Sequence, residues 1–395
     1  MSLADRDELL PTASELRRAH TLLPMPSLAR AVLIHGPIQR SELRRRLELT
    51  PPTLTRLSKP LLDNGVIIEL SETPNGTVGR PAKPLDIPES PRRFLGVRLT
   101  SDTAFGVVSD QRGRPLARAN RALASGTVSA VVDAIAELFA ELTLSVSESI
   151  AGAGVTVDGR VSHNRIVDSS RALGWSHVDL GGALEERLGV PVTVENDLIA
   201  VVEGEHWFGL ARNMRDFAVI TIGADVGYGL VRDNVVVRTV ATGIELGGHL
   251  PLDAGGPRCS RGHSGCAAAM LTAASIRQQA HEATGEDLSC EQILARSRQD
   301  EPALREIVDR AARALGRFIA LVANLAMVHE VMLAGEGAGI INVARDEVMR
   351  VITEERDPDA PLISLVVEEN GLEIWADGAA AVAIQTSFYR SIAAL

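Results

Sequence analysis

The chain has 395 residues, of which 45% are hydrophobic and 23% are charged, and its formal net charge is −11. This length allows two or three domains with a sizeable core. The sequence has no run of about 18 apolar residues, and its N-terminus lacks the basic-then-apolar order of a signal peptide. Its three cysteines are too few, and odd in number, for a disulfide framework. Composition thus argues against a membrane or disulfide-scaffold protein, and we expect a cytoplasmic one.

The segment from Gly36 to Gly65 has the pattern of a DNA-binding helix-turn-helix. The sequence predicts a helix that ends before Gly36 and a second short helix from about Ser41 to Leu47. Thr50 then fits a helix N-cap, with Pro51 at the first helical position, where proline loses no hydrogen bond. The alternative is a three-helix packing module that binds no DNA, but short helices, a cap and a following wing together favour the DNA-binding interpretation.

The third helix of this segment is the predicted recognition helix. Leu54, Leu57 and Leu61 recur at i, i+3 and i+7 and form one apolar stripe. Pro60 removes a backbone hydrogen bond, so we expect it to bend the helix or end it early. The residues predicted to contact DNA come from the helices and from the wing after them, and they are Arg40, Pro52, Thr53, Thr55, Arg56, Lys59 and Arg80.

The predicted wing begins with an apolar run at residues 66–68 and returns at Gly79-Arg80-Pro81. An arginine held between glycine and proline suits a narrow minor groove, where negative potential is concentrated. Charge supports a basic head only mildly, since residues 1–93 contain 14 Lys and Arg against 11 Asp and Glu. Short apolar runs and helical segments then alternate to the C-terminus, which is typical of parallel sheets in an α/β fold.

Five sequence landmarks follow one another in an order that points to one family. They are GRP at 79–81, PVTVEND at 191–197, TIGADVGYG at 221–229, GGHLPLD at 247–253 and CSRGHSGC at 259–266. With them the chain resembles the ROK proteins (repressors, open reading frames and sugar kinases), in particular the winged-helix repressors of the xylose and N-acetylglucosamine type. The resemblance implies a mostly α N-terminal winged helix-turn-helix followed by a two-lobed α/β, actin-like ATPase fold of the ROK sugar-kinase type.

The predicted domain boundaries come from this resemblance. They are an arm or extra helix at 1–25, the winged helix-turn-helix at 26–88, a small α/β lobe at 93–195 with 376–395, and a large α/β lobe at 196–375 that holds the dimerisation and metal-loop region.

The chain departs from the kinases of this family at both phosphate-binding turns. Where the kinases have an Asp-x-Gly-Gly-Thr type loop, this chain has Arg98, Thr100 and Ser101 at the aspartate and glycine positions. A phosphate loop needs glycines so that backbone N–H groups reach the anion, and it needs a carboxylate for Mg²⁺. In the second turn Asp225 would place a negative charge beside ATP phosphates. We therefore expect no ATP binding and no enzymatic activity.

The resemblance also gives candidate effector-binding residues, which are Asn196, Asp197, Glu245 and His249. Asp197 matches the position of the kinases' catalytic base and is here a vestigial one. The alternative for the first pair is purely local, with Asn196 as a helix N-cap and Asp197 in the first turn, where its charge favours the helix dipole. Glu245 stands four residues before His249, whereas the family spacing is three.

Family members carry zinc on one histidine and three cysteines, and this chain keeps only part of that set. His249, Cys259 and Cys266 match, but Arg261 replaces the middle cysteine and cannot ligate zinc. A closed structural site needs four ligands, and His263 is the candidate for the vacancy. The alternative is a metal-free loop with two cytosolic thiols.

These features predict a transcriptional regulator, a repressor by resemblance, whose kinase-like body binds a sugar or sugar-phosphate effector. Its expected partners are operator DNA and further copies of itself in a homodimer or tetramer, with no membrane involvement. A sugar kinase with an attached DNA-binding domain is one alternative. A regulator that has lost sugar sensing is another, since the pocket motifs are altered.

Overall fold

The computed structural model describes residues 23–71, 83–239, 241–244, 246–299, 301–368 and 371–395. The chain forms two compact units. One runs up to Arg212 and includes Trp375–Leu395, and the other is Asn213–Ile374. Within the described residues no helix is both long enough and apolar enough to cross a membrane.

The described part of the first unit begins with three short helices and a two-stranded ribbon, which together we call the head; the predicted arm or extra helix at 1–25 lies almost entirely outside the described residues. The helices are α1 (Pro24–His35), α2 (Arg40–Leu47) and α3 (Pro51–Asp63). The ribbon pairs β1 (Ile68–Glu69) with β2 (Leu85–Asp86) in antiparallel fashion. This arrangement confirms the predicted winged helix-turn-helix fold at the level of its elements, and the predicted Gly79-Arg80-Pro81 return of the wing lies outside the described residues.

Helix α3 begins where the sequence predicts, but its end differs from the prediction. Thr50 holds the N-cap position before Pro51, although its hydroxyl pairs with the Thr53 hydroxyl at 2.9 Å and not with a backbone N–H. The sequence predicts that Pro60 bends the helix or ends it early. The early end is wrong, because the helix continues to Asp63, and the bend stays a prediction. The turn after Pro60 is closed by Asn64, whose backbone N–H and side-chain amide both donate to the Pro60 carbonyl at 3.1 and 2.9 Å.

A five-stranded sheet forms the centre of the first unit, with the order β10-β6-β3-β4-β5. Strands β10, β6 and β3 are parallel, whereas β4 and β5 extend the sheet antiparallel. Its strands are β3 (Arg93–Leu99), β4 (Thr103–Ser109), β5 (Pro115–Ala122), β6 (Ile150–Val157) and β10 (Val192–Asn196). A smaller sheet joins β7 (Arg160–Ser162), β8 (Ile166–Ser170) and β9 (Trp175–Asp179), and helices α4 (Val128–Leu144) and α5 (Leu180–Leu188) pack on the same core.

The second unit repeats this topology. Its sheet has the order β13-β12-β11-β14-β15, again with three parallel strands extended by two antiparallel ones. The strands are β11 (Phe217–Ile222), β12 (Val226–Arg232), β13 (Val235–Val236), β14 (Glu330–Ala334) and β15 (Ser364–Val367). Its helices are α7 (Ala267–Leu271), α8 (Ala273–Thr284), α9 (Cys290–Ser297), α10 (Pro302–Ala326) and α11 (Ile341–Glu354). Two similar sheets in one chain are what the predicted two-lobed α/β fold requires.

Two further helices complete the first unit, namely α6 (Asp197–Trp207) and the C-terminal α12 (Glu373–Ala393). The backbone of α12 lies directly on the first sheet. A Cβ atom at Gly154 would come within 1.9 Å of the Ala379 carbonyl oxygen, so only glycine permits this approach. The predicted boundary between lobes is at 195/196, whereas the units divide after Arg212. The difference is α6, which packs against α12 where Gly204 meets Gly378.

Candidate functional site

The predicted recognition helix presents a polar face to solvent. Leu54, Leu57 and Leu61 are buried in the core of the head. On the other side Pro52, Thr55, Arg56 and Lys59 are all exposed, and Thr53 is half-buried. No side-chain hydrogen bond within the described residues engages Arg56 or Lys59. Helix α3 therefore has two available cations on the face predicted to contact DNA.

The remaining predicted DNA contacts are Arg40 and Arg80, and neither is seen as an available cation. The Arg40 guanidinium pairs with Glu69 at 2.6 Å and donates to the Ser58 hydroxyl at 3.1 Å. These contacts tie the start of α2 to the ribbon and to α3, so Arg40 would have to exchange an internal partner for a phosphate. Arg80 lies outside the described residues.

A half-buried arginine attaches the head to the rest of the first unit, and no sequence pattern indicates it. The guanidinium of Arg112, in the turn between β4 and β5, donates to the carbonyls of Leu33 and Gly36 at 2.9 and 3.2 Å. It also forms an ion pair with Asp86 of the ribbon. Both partners of that pair are largely buried, with side chains 20% and 15% exposed. Arg112 thus joins α1 and the ribbon to the central sheet.

Apolar contacts reinforce the same junction. Trp207, at the end of α6, and Tyr389 and Ile392, near the end of α12, belong to the buried core of the head. Trp207 and Tyr389 meet edge to face with ring centroids 5.6 Å apart. From the sequence alone, Trp207 is indistinguishable from any other core residue. Only the structure shows that it packs into the head.

Asn196 and Asp197 lie together at the start of α6, as predicted. The Asn196 side-chain oxygen accepts from the Ile199 N–H at 3.1 Å, and its amide donates to the Gly159 carbonyl at 2.9 Å. The N-cap alternative is therefore confirmed for Asn196. The amide oxygen has two lone pairs and the cap uses one, so capping and sugar binding are compatible. Asp197 is half-buried in the first helical turn.

The turn between β3 and β4, which the sequence predicts to be the counterpart of the kinases' first phosphate-binding turn, is closed by its own hydrogen bonds. The Thr100 hydroxyl donates to the Thr103 carbonyl at 3.0 Å, and the Thr100 N–H donates to the same carbonyl at 2.9 Å. Asp102 is exposed at the tip. Arg98 packs over the Trp375 ring, 4.4 Å from its centroid, at a cation–π distance. An anion at this turn would therefore meet the Asp102 carboxylate and a Thr100 N–H that is already hydrogen-bonded.

The turn between β11 and β12, the predicted counterpart of the second phosphate-binding turn, is also hydrogen-bonded within itself and carries negative charge. The Gly223 N–H donates to the Asp225 carbonyl at 3.0 Å, and the Asp225 side chain is exposed. The Glu336 carboxylate oxygen lies 3.7 Å from the point where a Cβ of Gly223 would be. Two carboxylates near this turn repel an anion, and sequence reasoning identifies only Asp225, because Glu336 arrives from a distant segment.

His249, Cys259, His263 and Cys266 form a compact four-membered cluster in the second unit. Their ligand atoms all lie within 4.8 Å of one another. The Sγ of Cys259 is 3.8 Å from Nδ1 of His249 and 3.7 Å from Nδ1 of His263, and the Sγ of Cys266 is 3.7 Å from Nδ1 of His249. Ligands of tetrahedral zinc at ordinary bond lengths are about 3.3–3.8 Å apart. The four side chains fit a zinc ion.

The loop that carries Cys259, His263 and Cys266 contains a tight hairpin. The Cys259 N–H donates to the His263 carbonyl at 2.9 Å, and the Gly262 N–H donates back to the Cys259 carbonyl at 2.8 Å. Desolvation raises the pKa of the Cys259 thiol, but backbone N–H groups of Arg261 and His263 outweigh it and leave the pKa below its usual value. Burial raises the pKa of the Cys266 thiol. Arg261, at the position of the missing cysteine, is exposed, so it leaves room for His263.

The predicted effector residues are divided between the two units. Asn196 and Asp197 belong to the first unit and His249 to the second, where it ends a short 3-10 turn at Gly247–His249. Glu245 lies outside the described residues.

Comparison with known proteins identifies the family. Residues 94–384 match the sequence profile of the ROK family, which is most of the chain. The protein belongs to the ROK family. The xylose repressor of Bacillus spizizenii is 24% identical over 60% of this chain, a match that spans 63% of the repressor's own length. The repressor Mlc of Escherichia coli is 24% identical over 73% of the chain and 75% of its own, and NagC, a dual regulator of Escherichia coli, is 25% identical over 76% and 77%.

Solved structures of ROK proteins confirm the fold. The crystal structure of a ROK family transcriptional regulator, a homologue of Mlc, superposes with a TM-score of 0.75 at 24% identity and covers 92% of this chain and 97% of its own. A ROK glucokinase from Streptomyces griseus, solved with glucose and AMPPNP, superposes with a TM-score of 0.64 at 23% identity. That match covers 74% of this chain but 99% of the kinase, so a large part of this chain has no counterpart in the enzyme.

Proposed function

We propose that this ROK protein is a DNA-binding transcriptional regulator whose kinase-like body binds a sugar-type effector and does not phosphorylate it. The observation that carries the proposal is the exposed face of α3, where Arg56 and Lys59 project without an internal partner among the described residues. A helix that comes after a short turn and projects cations is suited to the major groove. The regulators among its relatives support the same role.

Helix α6 supplies a direct route from the effector residues to the head. It begins at Asn196 and Asp197 and ends at Trp207, which is buried in the head's core. Its 11 residues span about 16 Å at the usual rise per residue. A ligand that moves the start of this helix would displace Trp207 and with it the packing of α1. Differential affinity for two such arrangements would couple effector binding to DNA binding.

The chemistry of the two phosphate turns supports binding without phosphoryl transfer. Catalysis of phosphoryl transfer rests on positioning and neutralising the phosphates. Asp102 and Asp225 place carboxylates at the two turns, and the Thr100 side chain occupies the hydrogen-bonding groups of the first one. Asp197 retains the place of a base, but the turns that would hold its phosphate donor oppose an anion.

The four-ligand cluster belongs to the proposal as a structural zinc site. Zinc on His249, Cys259, His263 and Cys266 would crosslink the 3-10 turn to the hairpin and fix the orientation of His249. A site closed by four protein ligands leaves no position for a reacting water. The metal's role is thus to stabilise the loop beside a candidate effector residue.

A gel-shift experiment tests DNA binding. The protein is titrated against genomic fragments that include the region upstream of its own coding sequence, with and without a panel of pentoses, hexoses and amino sugars. We expect specific binding that Arg56→Ala and Lys59→Ala weaken, whereas Arg345→Ala, an exposed arginine of the second unit, leaves it unchanged. Equal binding by the wild type and the two α3 variants would contradict the proposal.

An ADP-release assay with ATP and the same sugars tests the kinase alternative. We expect no turnover above a blank without protein. Turnover at ordinary kinase rates, of about 1–100 per second, abolished by Asp197→Asn, would replace the proposal by that of a kinase with an attached head.

A further inference from the structure

A second candidate ligand site lies in the first unit, and its described lining includes neither Asn196 nor the residues of the β3–β4 turn. It is a cavity of about 300 Å³ bounded by strands β6 and β10 and by the last turns of α12. Its polar lining consists of two guanidinium groups and four hydroxyls, contributed by Arg92, Thr193, Thr386, Ser387, Arg390 and Ser391. Its described lining includes no aspartate or glutamate. A volume of this size is at the small end of ligand pockets.

The two arginines face the same cavity from separate segments, and neither is neutralised. Neither the Arg92 nor the Arg390 guanidinium has a hydrogen bond or ion pair within the part of the chain that the structure describes. Both residues are exposed, and the cavity is where they come together. Arg118 and Arg296, by contrast, are paired with Asp377 at 2.9 Å and with Glu301 at 2.7 Å. Two unpaired cations at one cavity with no described carboxylate in its lining give it a positive potential.

The hydroxyl groups complement that charge. The Thr193 and Thr386 hydroxyls bond each other at 3.2 Å across the cavity wall, and the Ser391 hydroxyl donates to the Phe388 carbonyl at 2.7 Å. The Ser387 hydroxyl has no partner among the described residues and can donate to a ligand. Guanidinium forks with an adjacent hydroxyl donor are suited to tetrahedral oxyanions, and above all to phosphate.

We propose that this cavity binds a small phosphate-type oxyanion, either inorganic phosphate or a compact phosphate monoester. Interaction with the helix dipole is another explanation for Arg390, which lies in the last turn of α12. It does not account for Arg92, which lies on a separate segment. DNA phosphates are a poorer fit, because the groups line a concave pocket and a duplex backbone needs a protruding or open surface. Tyr389 and Ile392, on the same turns of α12, pack into the head, so the ligand would contact the helix that supports the head.

Calorimetric titration of the full-length protein with inorganic phosphate tests the proposal, in a phosphate-free buffer with chloride matching the ionic strength. We expect saturable binding that the double variant Arg92→Gln/Arg390→Gln weakens by about tenfold or more. The control is Arg277→Gln/Arg345→Gln, which removes two exposed arginines of the second unit and should bind like the wild type. Equal affinity in both double variants, or no saturable binding by the wild type, overturns the proposal.

Three further measurements identify the source of the phosphate, check the folding of the double variant and test DNA as the alternative ligand. Phenyl phosphate that competes with inorganic phosphate in the wild type supports a site open to monoesters, and inorganic phosphate alone supports an ion site. Folding of the double variant is checked by its circular dichroism and melting curve in chloride, which should match those of the control. If the double variant instead lowers the salt dependence of DNA binding in phosphate-free buffer by about two phosphate contacts, the arginines bind DNA and the proposal fails.

Discussion

Replacing Arg112 by alanine should loosen the head from the body without altering either one. The guanidinium donates to two carbonyls of the head, at Leu33 and Gly36, and pairs with Asp86. Its removal leaves the Asp86 carboxylate, 15% exposed, with the Ile87 N–H at 2.8 Å as its donor among the described residues. Breaking such a largely buried pair costs about 2–4 kcal/mol, and most of it falls on the contact between head and body.

The matched control is Arg114→Ala, two residues along the same turn. Arg114 is exposed, and its backbone N–H donates to Asp110 at 3.0 Å, a bond that alanine keeps. Calorimetric unfolding should show the head melting earlier and separately in Arg112→Ala, whereas Arg114→Ala should melt like the wild type. Limited proteolysis at the connection of residues 87–92 should accelerate only in Arg112→Ala.

A double-mutant cycle with Asp86→Ala separates the ion pair from the carbonyl contacts. We expect a coupling free energy of about 1–3 kcal/mol between the two side chains. The remaining cost belongs to the carbonyls of Leu33 and Gly36. If Arg112→Ala and Arg114→Ala show the same melting and the same proteolysis, then the head is held by the apolar contacts of Trp207 alone and the reasoning is refuted.

Three other outcomes are expected from the geometry. Metal analysis should find about one zinc per chain. A chelator or Cys259→Ser should lower the melting temperature of the second unit by several degrees or more. A wild-type protein that contains no zinc and whose melting temperature a chelator does not change would exclude the site. Arg56→Gln and Lys59→Gln should each reduce the salt slope of operator binding by about one, and an unchanged slope would remove those residues from the interface. Burial and the charges of Arg46, Arg212 and Arg30 lower the pKa of His35 from 6.5 to about 4, so between these pH values the unfolded state binds more protons and stability decreases as the pH falls. After allowance for the partial exposure of His35, the loss of unfolding free energy is on the order of 1 kcal/mol. Denaturant titrations at pH 7 and pH 5 measure this loss, and it should be smaller in His35→Gln than in the wild type.

The head could be predicted from sequence because its signals are local. A threonine before a proline sets the start of α3, and three leucines at helical spacing set its buried face. The exception is Pro60, where the loss of one backbone hydrogen bond does not end the helix, which continues to Asp63. Asn64 closes that last turn with two donors to the Pro60 carbonyl, and a rule about proline alone does not include contacts from later residues.

The sequence identifies the four candidate metal ligands, but it does not give their positions relative to one another. The sequence leaves His263 as a candidate because spacing cannot show whether a hairpin turns its side chain toward Cys259. The antiparallel bridge between Arg258 and Ser264 fixes that turn and brings Nδ1 of His263 to 3.7 Å from the Cys259 sulfur. Contacts between distant segments, such as Arg112 with the head, have no counterpart in local spacing at all.

The place of α6 in the fold has the largest consequence for function. The predicted lobe boundary at 195/196, which comes from the family resemblance, assigns residues 196–212 to the large lobe. The close contact between Gly204 and Gly378 and the burial of Trp207 against Tyr389 place that helix with the head and α12 instead. A helix in the large lobe would carry an effector signal only through relative movement of two units. A helix that ends in the head's own core needs no such movement, so replacing Trp207 should weaken the link between ligand and DNA even where both are still bound.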